Sequence, residues 1–145
     1  MKLFLFLCAF ILSTNMMVAQ NNPEQIIDKF FSDLVTEKPE KVLDNLYTHM
    51  PWVSNIKADI DKLKTNFNSL QTYFGKYCGN TLITKKDIGG GALVIYSYLI
   101  KYERQPVRFT FKFYKPKDVF LVYSFSYDLS LDEELEQSIK IQNIR

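Results

Sequence analysis

The sequence predicts an α+β domain in which three helices come first, a curved four-stranded antiparallel meander follows, and a short helix closes the C-terminus. Three observations predict it. Over 22–74 the apolar residues recur every three or four positions. Over 81–129 they alternate or run on as strands. Gly89-Gly90-Gly91, Arg104-Gln105-Pro106 and Pro116-Lys117-Asp118 divide this second part at hairpin spacing. With 145 residues, 47% of them apolar, and no repeat or linker, one domain over 20–145 is expected.

The first helix starts with Asn22 as N-cap and Pro23 at its first position, and presents Ile26, Ile27, Phe30, Phe31 and Leu34 as one stripe. Asp28, Lys29 and Asp33 should face water. A second helix begins at Pro39 and buries Val42, Leu43 and Leu46. The third is read as one long helix between Ser54, its cap, and Gly75, its stop, with Ile56, Ile60, Leu63, Phe67, Leu70 and Phe74 on one face.

Four strands follow, at 80–88, 91–103, 107–115 and 119–129. A three-residue loop in the last hairpin pairs Phe113 with Leu121, Phe111 with Tyr123, Phe109 with Phe125 and Val107 with Tyr127. Arg108, Thr110, Lys112, Ser124, Ser126 and Asp128 then point outward. On the neighbouring strand Val94, Tyr96, Tyr98, Ile100 and Tyr102 point to the core. Leu93, Ile95 and Leu99 join Phe120 and Val122 in an outer apolar patch, read as a homodimer surface unless a loop or the C-terminal tail covers it. Ser130 and Glu133 form a capping box for a final helix whose stripe is Leu131, Leu135 and Ile139.

Met1-Lys2 and the ten apolar residues 3–12 (LFLFLCAFIL) have the form of a signal peptide, with cleavage expected after Ala19. The run falls short of the ~20 residues of a spanning helix, so no membrane contact is expected after cleavage. Losing residues 1–19 removes Cys8 and leaves Cys78, read as a buried inert thiol, with no internal disulfide. It also removes Lys2, leaving 17 basic against 16 acidic side chains, a balance that does not steer a protein to nucleic acid.

The chemistry-bearing inventory is thin. One His and two Cys do not supply a metal site or a nucleophilic relay, and no cofactor or metal is expected. The triple glycine lacks the Lys and helix of a phosphate cradle. The basic stretch from Lys101 to Lys117 is read as a solvated sheet face.

Helices followed by a curved aromatic meander, with Ile26-Ile27-Asp28-Lys29-Phe30-Phe31 at the start and Phe111-Lys112-Phe113-Tyr114-Lys115-Pro116 ending a late strand, resemble the NTF2-like (SnoaL-like, cystatin-like) α+β cone superfamily. The resemblance implies helices closed over the concave face of a bent sheet. It also implies either a proton-transfer enzyme with acid-base groups inside the cone or a binding and dimerisation module without chemistry. The inward strand positions carry no Asp, Glu, His, Lys or Arg, which favours the module, secreted or periplasmic. Its ligand would be a small apolar molecule or peptide held by Tyr96, Tyr98, Tyr102, Tyr123, Tyr127 and Trp52, unless the tyrosines simply fill the core and send their hydroxyls to water at its rim. The alternative is an isomerase or dehydratase using a cavity Tyr with His49, the single imidazole, paired with Asp44 or Asp59.

Overall fold

A computed structural model describes residues 22–132 and Glu136. The expected signal segment and the Glu133, Leu135 and Ile139 positions of the expected final helix lie outside the described residues. The chain is α+β: α1 (Pro23–Thr36), α2 (Pro39–Tyr47), a 3-10 turn (Val53–Ile56), α3 (Lys57–Asn68) and α4 (Leu70–Phe74) precede the sheet. The sheet is open and antiparallel in the order β1 (Tyr77–Ile88), β2 (Leu93–Tyr102), β3 (Pro106–Tyr114), β4 (Leu121–Asp128).

The start of α1 follows its sequence signals: the Glu24 N–H donates to Asn22 Oδ1 at 3.0 Å and Pro23 occupies the first turn. The expected single third helix is broken instead. Ser54 caps nothing and lies in the 3-10 turn, and at Ser69 the N–H reaches back to the Asn66 carbonyl, separating α3 from α4. Thr65, Asn66, Asn68 and Ser69 explain the break, because such side chains compete for the helix backbone; Ser69 Oγ donates to the Thr65 carbonyl. Gly75 does end α4, at φ +84°, where a Cβ would meet Glu103 at 2.6 Å. Arg104, expected on the solvated sheet face, caps this helix end: its Nη1 donates to the carbonyls of Thr72 and Tyr73.

The core lies between the helices and one sheet face. Phe30 is its hub, with the rings of Phe31, Phe67, Phe109, Phe111 and Phe125 at 5.0–6.1 Å between centroids. Phe67 of α3 meets Phe109, Phe125 and Tyr127 from the other side. Val107, Phe109, Phe111 and Phe113 are at most 1% exposed, so the face assignment of β3 and of the even positions of β2 holds.

The β3–β4 register differs from the expected one. Phe109 lies opposite Tyr127 and Phe111 opposite Phe125, two residues further along β4, and a bulge then sets Phe113 against Val122. Tyr123 is the extra residue, 52% exposed instead of facing inward. Val122 is 1% exposed and belongs to the core, not to the outer patch. Phe120 leaves that patch as well: it packs against the core, with Lys115 Nζ 5.3 Å from its ring centroid. The bulge lets Val122 and Phe125 both face inward, which no regular pairing allows because they are three residues apart. Cys78 is exposed, not buried, because it sits at a second irregularity in edge strand β1.

Candidate functional site

Where α1 crosses α2 the structure leaves a crevice of about 190 Å³. Its floor is Ile26, Phe30, Val42 and Leu46, the apolar stripes of the two helices. Its walls are Gln25, Lys29 and Asp33 from α1, Asn45 from α2, and His49 just beyond it. Asp33, expected to face water, is 7% exposed. The reason is its place: three residues after Phe30 and seven after Ile26, it sits at the edge of the buried stripe. Lys29 Nζ donates to both carboxylate oxygens at 2.9 and 3.0 Å, and Asn45 Nδ2 donates to Oδ2 at 2.8 Å. Burial opposes the charge, but these hydrogen bonds outweigh it and hold the carboxyl below its ordinary pKa. Burial also lowers the pKa of His49, favouring a neutral imidazole. The His49 carbonyl accepts from the Val122 N–H at 3.0 Å, tying this loop to β4.

A second hollow, about 280 Å³, lies at the end of the sheet beside the N-terminus of α1. There Glu24 accepts from the Tyr96 hydroxyl and, at 2.6 Å, from Lys85 Nζ, while Lys85 sits 5.2 Å from the centre of the Tyr96 ring. Burial raises the Glu24 pKa, but hydrogen bonds from Lys85 and Tyr96 bring it below the ordinary value. Burial, then the bond to Glu24, pushes the Tyr96 phenol up to about 12. The carboxyl and the phenol are thus driven apart, each away from neutrality. Asp87, Lys115 and Asp118 complete a hollow of mixed charge.

Among the described residues, the other expected ligand residues lie against the ring core or at its margin. Tyr98 packs edge-on against Phe31 and Phe111, and Tyr127 stacks near Phe67 and Phe109. Tyr102 is buried between Phe74 and Tyr77, where burial moves its phenol well above the ordinary range. Trp52 is half-buried against the core. His49 meets neither suggested acid in a hydrogen bond: Asp44 is bound by Lys64, and Asp59 is exposed. Among the described residues no group of three His, Cys, Asp or Glu could hold a metal ion.

Sequence reasoning missed Asp33, Lys29, Asn45 and Gln25. The available signal was a pair of polar residues, Asp33 and Asn45, at the margins of the apolar stripes of consecutive helices. Comparison with protein-family models, with curated proteins and with solved structures finds no match to this chain.

Proposed function

We propose that the chain is a non-catalytic binding module of the NTF2-like cone type, exported after loss of residues 1–19, that takes a small ligand in the α1–α2 crevice. The observation that carries this reading is the crevice itself: an apolar floor under a compact set of hydrogen-bonding groups, beside a core filled by phenyl rings. Lys29 and Asp33 cancel each other, and a His49 pKa below the ordinary value leaves the imidazole uncharged at neutral pH. The ligand that suits such walls has a small apolar body and an uncharged head that both donates and accepts, such as an amide or hydroxyl. The two β1 irregularities and the β4 bulge favour a bent sheet, as the cone requires.

The proton-transfer reading has one feature in its favour, the Tyr96 hydroxyl on the Glu24 carboxylate. A general acid or base works best with a pKa near the operating pH, and this pair is displaced in both directions. It serves as a tie between α1, β1 and β2. The test is thermal stabilisation by benzamide and benzyl alcohol, with benzoate and benzylamine as charged counterparts. The uncharged pair should raise Tm, the charged pair less. Gln25→Trp, at an exposed position on the crevice wall, should abolish the shift. Equal shifts in that variant would overturn the assignment of the site.

A further inference from the structure

The sheet face turned away from the Phe30 cluster has its own order. Thr84, Ser97, Thr110 and Ser126 line up across all four strands. On one side runs the row Lys86, Ile95, Lys112, Ser124, and on the other Thr81, Leu99, Arg108, Asp128. Ser97 at the centre is 6% exposed, and its Oγ has no hydrogen-bond partner among the described residues, an unusual state for a buried hydroxyl. The face is basic, with Lys86, Lys101, Arg108 and Lys112 against Asp128, and Arg108 is bound to Asp128 at 3.0 Å.

We infer that this face is the docking surface for the chain's own C-terminal segment, residues 131–145. The segment sets out from the right place: the Ser130 N–H donates to Asp128 Oδ1 at 2.8 Å, so the turn after β4 is tied to a side chain of this face. Its charge is complementary, with Asp132, Glu133, Glu134 and Glu136 against Lys140 and Arg145. Leu131, Leu135 and Ile139, four residues apart, make a single helical stripe to set on Leu93, Ile95 and Leu99. Fifteen helical residues extend about 22 Å, and the outer strands of a four-stranded sheet lie about 14 Å apart, so the segment can cross from β4 to β1. A second copy is the poorer occupant. With Val122 and Phe120 withdrawn into the core, three half-buried aliphatic side chains fall well short of the ~800 Å² per partner of a stable interface.

The test uses the full chain carrying Cys8→Ser and Cys78→Ser, with Leu135→Cys combined with either Thr110→Cys on this face or Ser32→Cys on exposed α1 surface. A short bismaleimide should join Leu135→Cys to Thr110→Cys within one chain and leave the Ser32→Cys pair unjoined. Cross-links between chains would assign the face to a second copy and overturn the inference, as would no cross-link or equal yield from both pairs. In a chain with no added cysteine, Leu135→Ser with Ile139→Ser should lower Tm and raise binding of a hydrophobic dye. No change in either would also overturn it.

Discussion

Phe113 of β3 lies opposite Val122 of β4, and the one-residue bulge beside this pair turns Tyr123 out of the core. Two substitutions read this register directly. Tyr123→Ser should change stability by no more than about 0.5 kcal/mol, as for an exposed side chain without special contacts. Val122→Ala should cost about 2 kcal/mol, because it removes two buried methyl groups and leaves a void. Chemical denaturation of the pair checks it, and the order would be reversed in the regular pairing that the sequence suggests.

Phe30 is the ring on which α1, α3, β3 and β4 converge. Phe30→Ala should lose about 3–5 kcal/mol, at the upper end for a large-to-small core change. Equilibrium unfolding in urea, with an unchanged m-value, would record this as lost stability of one cooperative unit.

How far the sequence reveals this molecule depends on which forces are local. Asn22-Pro23, Gly75 and the β2 and β3 alternation specify their elements through caps, positive φ and period, and each is legible without a structure. The β4 bulge is not local: it arises because Val122 and Phe125 must both reach the core that Phe111, Phe113 and the helices form. Asp33 is similar. It reads as a solvated helix residue until α2 is placed, when Asn45 and the Lys29 side chain enclose it. The aromatic rings, Tyr98, Tyr102 and Tyr127 included, are legible as core-filling from their inward strand positions, but which rings meet is set only when the helices are placed.

Acid should weaken the fold through Asp33. Its folded pKa lies below the ordinary carboxyl value of 3.8, so the stability it contributes is present above that value and is lost as pH falls through the lower folded value. Asp33→Asn should therefore be less stable at neutral pH and lose part of the slope of stability against pH at the acid end. Thermal unfolding across the acid range compares the two chains.

Alkali should act through the phenols with the opposite sign. Burial pushes Tyr47 up to about 12, and burial with Glu24 does the same for Tyr96, from an ordinary value of 10.0. The stability they contribute is complete below pH 10 and is lost as pH rises through about 12. Tyr96→Phe should cost about 0.5–1.5 kcal/mol at neutral pH, the usual net worth of one hydrogen bond. Ultraviolet titration should show one fewer late-ionising phenol in that variant.

The most direct test of the account is methyl-resolved NMR of the protein titrated with benzamide. Binding in the α1–α2 crevice predicts saturable shifts at Ile26, Val42 and Leu46, absent from Gln25→Trp, with the methyls of Ile100 and Val107 unmoved. Shifts centred on Ile100 and Val107 would place a ligand chamber beneath the helices and contradict it.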